Sequence, residues 1–351
     1  MRIEELDYDL PEELIAQEPA PERDRARLLV LRRGGGGVEH RTVRDLPDLL
    51  RAGDLLVVND AAVFPARLDL RRSTGGRFDA LLLEPSRGDP LLWEALVNAR
   101  DKLRAGERLS VERAGGVSLV LEERRGDAWT VRFEGTADVR ALAEGAGRVP
   151  LPPYIRRERG ADPRDALDRS RYQTVYARDP VAAAAPTAGL HFTPALLEAC
   201  AARGIGRASV TLAVGPGTFR PVKSERVEEH PMHPERWRVP AETAAAVRAA
   251  RGAGGRVVAV GTTAVRTLEA AAAASPDGLP RAGEGSTDLF ILPGYPFRCV
   301  DVLLTNFHLP RSTLLALVMA FGGGERVLAA YREAVRERYR FFSYGDAMLI
   351  V

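Results

Sequence analysis

The feature that most constrains this chain is a change of rhythm partway along it. Residues 67–149 carry short alternating apolar runs at 78–83, 92–97, 117–121 and 129–133. Turns at Gly75-Gly76, Gly88-Asp89, Gly115-Gly116 and Gly126-Asp127 separate them. Strands this close together, with no helical stretch between them, predict a small antiparallel barrel. On either side the rhythm is different. A helix over 43–50, closed by Gly53, leads into the apolar strand 55–58, which ends at Asn59-Asp60. From Tyr172 onward strands and helices alternate. Thr193-Pro194 caps a helix that Gly204 closes, and a strand follows over 208–214. A helix over 241–251, a strand over 256–260, a helix from Thr263 through Ala274 and a strand over 300–304 complete the pattern. Alternation of this kind predicts a mainly parallel sheet covered by helices on both faces. The expectation is therefore an α/β fold: a discontinuous large domain over 1–65 and 150–351, interrupted by an inserted β-barrel over 66–149. Pro150-Leu151-Pro152-Pro153 acts as the linker.

Composition narrows the function classes. Of 351 residues, 45% are hydrophobic and 28% charged, as in an ordinary globular protein. No apolar run approaches the roughly 18 residues of a membrane helix, and the start, MRIEELDYDL, lacks the apolar core of a signal peptide. Cys200 and Cys299 are the only cysteines, so neither a disulfide framework nor a Cys-rich metal cluster is expected. A cytoplasmic monomer is the expectation. The formal net charge of +2 requires any nucleic acid to be held by a local patch. Arg156, Arg157, Arg159 and Arg164 form one candidate patch, although such a cluster also suits a solvated face. His230 and His233 lack a third ligand, so no metal is expected. Ser312 and Ser343 sit in no nucleophile-elbow context. The glycine runs fit neither a Walker loop nor a dinucleotide fingerprint.

In open α/β sheets ligands bind beyond the carboxyl ends of the strands. Here those ends run into Asn59-Asp60, Gly215-Pro216-Gly217-Thr218, Gly261-Thr262-Thr263 and Asn306-Phe307-His308. Small and hydroxyl residues at such turns let backbone N–H groups approach a ligand, and the helix start after Thr263 favours an anion such as a carboxylate. Each feature alone also has a plain structural reading: Gly-Thr-Thr as a capped turn, His308 as a satisfied core histidine. The residues by themselves define an α/β enzyme whose site is lined by Asp, Thr, His and Arg.

Longer motifs go further. DLLVVNDAAVFPARL (54–68), VPLPPYI (149–155), RYQTVYA (171–177), APTAGLHFT (185–193), VGPGTFRPV (214–222), GTTAVRTLE (261–269), LLTNFHLPRSTLLALVMAF (303–321) and YRFFSYGDAML (339–349) span nearly the whole chain. Through them the sequence closely resembles the S-adenosylmethionine:tRNA ribosyltransferase-isomerase family of queuosine synthesis. The resemblance implies a large α/β domain with an inserted barrel. It also implies that S-adenosylmethionine is a co-substrate donating its ribosyl part to the aminomethyl-deazaguanine at the tRNA wobble position, with no metal or prosthetic group. The products are epoxyqueuosine in the tRNA, adenine and methionine.

That chemistry requires a base for a hydrogen next to the sulfonium, an acid for the leaving adenine, and a pocket for the amino-acid tail. A base with a pKa near the working pH favours histidine, so His191 and His308 lead the candidates, with Asp346 and Asp60 behind them. Thr262, Thr263 and Arg266 are candidates for the methionyl carboxylate. Tyr154, Tyr172, Phe192 and Phe342 are candidates for stacking on a base. Arg67, Thr187, Gly189, Thr218, Arg220, Gly261, Asn306 and Tyr344 complete the expected binding set. The chain departs from the family pattern at Ala61-Ala62, Val181, Ala183, Ala213, Pro216 and Trp237. Two competing readings are a relative using the same sulfonium chemistry on another acceptor, and a non-catalytic RNA binder.

Overall fold

The structure is a computed structural model that describes residues 1–351 except 87, 99–102, 159, 161, 183, 216–223 and 274. It divides into two compact units. The first comprises Met1–Ala62, Gln173–Asp179 and Ala185–Val351, and the second Val63–Tyr172 with Pro180–Ala184.

In chain order, the first unit opens with β1 (Arg27–Leu31) and its antiparallel neighbour β2 (Val38–Thr42). A short α1 (Leu46–Leu49) follows, begun by a 3-10 turn over Val43–Asp45, and then β3 (Leu55–Asn59). Every residue of β3 is buried. That is the burial expected of a central strand with both faces covered. The short β4 (Ala61–Val63) leads into the second unit.

There, β5 (Arg67–Arg71), β6 (Arg77–Pro85), β7 (Leu92–Asn98), β8 (Arg108–Val111), β9 (Ser118–Arg125) and β10 (Ala128–Glu134) close a barrel in the order β10-β7-β6-β5-β8-β9. Alternate residues such as Leu68, Leu70, Ala80, Leu82, Leu119, Val131 and Phe133 fill its interior. The period-two pattern read from the sequence is the direct cause of that filling. Helices α2 (Val139–Ala146) and α3 (Asp165–Arg171) follow, and α2 starts at Asp138, whose carboxylate accepts the N–H groups of Arg140 and Ala141. The strand β11 (Asp179–Ala182) comes next.

The first unit resumes with α4 (Pro194–Ala202), β12 (Gly206–Leu212), β13 (Glu235–Val239), α5 (Ala241–Gly252), β14 (Val257–Val260) and α6 (Thr262–Ala273). It ends with β15 (Gly283–Thr287), β16 (Val302–Asn306), α7 (Thr313–Gly322), α8 (Gly324–Arg336) and β17 (Ala347–Ile350). Among the described residues its main sheet has nine strands in the order β15-β13-β12-β3-β14-β16-β17-β1-β2. The central β12, β3, β14 and β16 are mutually parallel, while β13, β15 and β2 join antiparallel. β17 enters between β16 and β1, antiparallel to the first and parallel to the second. The sheet is therefore mixed: the strand–helix alternation builds only its parallel centre, and the flanks come from the antiparallel β13 and β15, the β1–β2 hairpin and the chain's last strand. Among the described residues no single helix is long and apolar enough to cross a membrane.

Candidate active site

Because β3, β14 and β16 are parallel and in register, their carboxyl ends arrive at one edge of the sheet. Val58 pairs with Val260, and Val260 with Leu304, so Asn59, Gly261 and Thr305 follow at one level. Gly261 has φ +90°, a left-handed conformation that favours glycine, and its N–H donates to the Leu304 carbonyl. This turn opens α6. A Cβ placed on Gly261 would lie 3.6 Å from the Ala188 Cβ, so the segment containing His191 packs beside the helix start. The Thr263 hydroxyl is buried there without a hydrogen-bond partner among the described residues.

His191 ends a 3-10 turn over Thr187–His191, and it is only 4% exposed. The Arg23 guanidinium pins this turn by donating to the Leu190 carbonyl. Asn306, the last residue of β16, places its Nδ2 3.2 Å from His191 Nε2 and 3.0 Å from the Phe342 carbonyl. An amide nitrogen only donates, so this contact has His191 Nε2 as the acceptor and the proton of the neutral ring on Nδ1. Burial pushes the His191 pKa down to about 4, opposed in part by a backbone hydrogen bond with Arg23. The imidazole is thus neutral at physiological pH, and its one lone pair, on Nε2, faces the Asn306 amide. The Asn306 Oδ1 is buried with no partner among the described residues.

His308 sits differently. Its Nε2 lies 2.8 Å from the Thr305 hydroxyl, and burial pushes its pKa to about 3. Tyr8 donates to its carbonyl, and its N–H donates to the Tyr331 hydroxyl, within an aromatic cluster of Tyr8, Phe307, Tyr331 and Phe341. Successive strand residues face opposite sides of a sheet. His191 and His308 therefore touch β16 on opposite faces, through Asn306 and Thr305.

The two aspartates are held by other groups. Asp60 Oδ1 accepts from the Thr211 hydroxyl at 2.7 Å, and its Oδ2 is paired with Arg178 at 2.7 Å. Asp346 accepts the backbone N–H of Arg27 at 2.9 Å and of Arg340 at 2.8 Å, tying the start of β1 to the turn before β17. Arg266 is likewise committed: its guanidinium bonds Glu235 and donates to the Leu289 carbonyl, and both charged side chains are 6% exposed. Glu235 also accepts the Gly215 N–H. Arg266 thus fastens α6 to β13 and to the loop after β12.

Phe192 is fully buried in the core against Tyr176, and Phe342, at φ +70°, and Tyr344 are 3% exposed. All three rings are buried in this structure. Thr187 is half-buried. Gly189 is where a side chain is excluded, since a Cβ there would stand 2.0 Å from the Tyr176 hydroxyl and 2.9 Å from Thr174 Cγ2. The hydroxyls of Thr174 and Tyr176 are buried without hydrogen-bond partners among the described residues. Both lie in the RYQTVYA motif, from which only Tyr172 was singled out. The second tyrosine of that motif was the available signal. Arg67, Tyr154 and Tyr172 belong to the second unit. Thr218 and Arg220 lie outside the described residues, as do Pro216 and Ala183 among the departures. Of the arginine patch, Arg157 is held by Asp168 and Arg164 by Asp162, and Arg159 is outside the described residues. His230 packs edge-on to Phe290. Among the described residues no three His, Cys, Asp or Glu side chains converge on a metal position.

The comparisons with known proteins agree on one family. The "Queuosine biosynthesis protein" family matches residues 3–350. An S-adenosylmethionine:tRNA ribosyltransferase-isomerase of Anaeromyxobacter sp. is 56% identical, covering 100% of this chain and 99% of that protein. The protein of that name from Geobacter sulfurreducens is 50% identical, covering 100% of both. A crystal structure of an S-adenosylmethionine tRNA ribosyltransferase from Thermotoga maritima is 40% identical, with a TM-score of 0.55 over 99% of this chain and 100% of that one. Sheet, barrel, strand-end motifs and relatives converge: the chain belongs to the queuosine biosynthesis family of S-adenosylmethionine:tRNA ribosyltransferase-isomerases.

Proposed function

We propose that this enzyme transfers and isomerises the ribosyl part of S-adenosylmethionine onto the aminomethyl-deazaguanine wobble base of tRNA, forming epoxyqueuosine and releasing adenine and methionine. It does so as a cytoplasmic monomer acting on the anticodon region. The observation that carries this reading is a neutral, buried imidazole at the strand ends, fixed by Asn306 beside the glycine turn that opens α6.

The reaction needs the sulfonium's neighbouring C5′ hydrogen removed, and His191 is our candidate base. Asn306 holds the ring in one orientation, and Nε2 takes the substrate proton when the amide hydrogen moves off it. The start of α6, where the helix dipole is positive, with the Thr262 and Thr263 hydroxyls beside it, suits the methionyl carboxylate. Arg266 we assign to positioning that helix, because Glu235 already neutralises it. Asp60 and Asp346 we assign to holding the strand ends, since both oxygens of each are engaged, and His308 to bracing β16 through its Nε2 contact with Thr305. S-Adenosylmethionine is a consumed co-substrate in this scheme.

Mass spectrometry of adenine and methionine release tests the reading, run with and without tRNA carrying the aminomethyl-deazaguanine, with the tRNA nucleosides analysed in parallel. Release that depends on this tRNA, with epoxyqueuosine appearing in it, is the expected result. Release that ignores the modified base would transfer the activity to another acceptor.

A further inference from the structure

The second unit contains a cavity of about 420 Å³ on the outside of its barrel, between β5, β6 and the chain over 148–168. That size is within the range of small-molecule sites. Its lining is unusual for a barrel surface. Asp69 and Asp79 stand directly opposite each other on β5 and β6. Like charges in that relation destabilise a sheet. An arginine donates to each: Arg148 to Asp69 Oδ1 at 2.6 Å and Arg67 to Asp79 at 3.1 Å.

The pairing is incomplete. Asp69 is 7% exposed, yet its Oδ2 receives no hydrogen bond from the described residues, and Arg113 comes only to 4.0 Å. The Nε atoms of Arg67 and Arg148 are also buried with no acceptor among the described residues. A buried carboxylate oxygen and two N–H donors left unmet are costly unless something meets them. Pro152 and Ile155, both buried, add apolar wall, and the Arg157–Asp168 pair, at 2.6 and 2.9 Å, makes a rigid side.

Carboxylates balance the arginines here, so the cavity does not suit a phosphate. It suits a neutral flat group with adjacent N–H donors on one edge and acceptors beside them. Among RNA bases, the N1–H and 2-amino edge of guanine matches a carboxylate, while O6 and N7 match arginine N–H groups. Unstacked bases of RNA loops are commonly read in this way. We propose that this cavity binds one unstacked guanine-type base of the RNA substrate, with Asp69 accepting from its Watson–Crick edge. The proposal rests on the RNA-modifying function above. The base is either the deazaguanine acceptor, which keeps the Watson–Crick edge and O6 but has carbon in place of N7, or another guanine of the same loop.

Binding of the whole enzyme to an anticodon stem-loop RNA, followed by fluorescence anisotropy, tests it. The 2-amino group is deleted from the acceptor base in one RNA, and from each other loop guanine in turn, by hypoxanthine-type replacement. One lost hydrogen bond to a charged acceptor predicts affinity about 10- to 100-fold weaker at one position. The position identifies which base is bound. In Asp69→Asn that discrimination disappears, while a merely structural aspartate would lower the unfolding temperature and leave the ratio intact. The wild-type series stands even if the variant folds poorly. Deletions that each change affinity less than about twofold, or an Asp69→Asn enzyme that still discriminates, would overturn the proposal and leave the function intact. Failure to bind any of the RNAs would overturn both.

Discussion

His191 Nε2 lies 3.2 Å from the Asn306 amide nitrogen, a contact between residues 115 apart that joins the two most specific motifs of the chain. The amide fixes the ring by donating to it, and its second hydrogen is anchored on the Phe342 carbonyl. Replacing His191 by Ala is expected to lower kcat by 10²- to 10⁴-fold, the usual weight of a general base. Asn306→Ala frees the ring without removing it, and a smaller loss of about 10- to 100-fold should follow, mostly in kcat. Single-turnover rates at saturating S-adenosylmethionine separate the two. Near-normal turnover in His191→Ala would end its assignment as the base.

The same histidine makes stability depend on pH. Its pKa is about 4 in the fold against an ordinary value of 6.5. Between these values the unfolded chain binds a proton that the folded one does not, so stability falls as pH drops from 6.5 towards 4. At full effect one such group accounts for roughly 3 kcal/mol. Urea midpoints of wild type and His191→Gln at pH 7, 5.5 and 4.5 check this. Glutamine can still accept from Asn306 but does not titrate, so its stability should fall less steeply by up to one proton. Equal slopes would show that His191 is not held neutral by burial.

Asp346 was a plausible acid or base by sequence, but both its oxygens receive backbone N–H groups, from Arg27 and Arg340. Asp346→Asn keeps the shape and presents an amide N–H₂ to one of those donors. A loss of about 1–3 kcal/mol in stability is expected, with kcat per folded molecule within about threefold of wild type. Calorimetry with active-site titration distinguishes this from direct chemistry, which would cost at least 100-fold with little change in melting.

The parallel centre of the fold was legible because β3, β14 and β16 are continuous apolar runs followed by small or polar residues at strand ends. Alternation over 78–83 and 129–133 marked the barrel for a similarly local reason. The strands β1, β2 and β17 were not read, although Leu28 to Leu31 are wholly buried. β1 is fixed by its parallel register with β17, some 320 residues later, and no local signal carries that partner. The motifs also carried His191, Asn306 and the Gly261 turn, which the fold brings near one another. What they hid was commitment. Arg266 reads as a free cation until Glu235, 31 residues away, is placed against it.

Gly189 and Tyr176 test a packing relationship. A methyl group on Gly189 would collide with the Tyr176 hydroxyl at 2.0 Å. Gly189→Ala is therefore expected to cost about 1–3 kcal/mol through overpacking. Tyr176→Phe removes a hydroxyl that has no partner among the described residues, so alone it should change stability little. The ring carbon would still be tight at 3.0 Å, so rescue in the double variant is partial, with a coupling of about 0.5–2 kcal/mol. Additive losses in a denaturation cycle would mean the backbone, not the hydroxyl, excludes the side chain.

Arg266 and Glu235 separate positioning from substrate binding. Both are buried, and removing one leaves the other uncompensated, which commonly costs about 3–5 kcal/mol. Arg266→Met should thus destabilise strongly, and so should Glu235→Met. The double Met variant replaces the ion pair by apolar volume and should recover most of the loss. If Arg266 only holds α6 in place, the double variant also regains a KM for S-adenosylmethionine within about threefold of wild type. If Arg266 instead grips the methionyl carboxylate in the working enzyme, stability returns while KM stays raised by 10-fold or more. Paired melting and initial-rate measurements on the three variants decide between them, and the buried geometry predicts the first result.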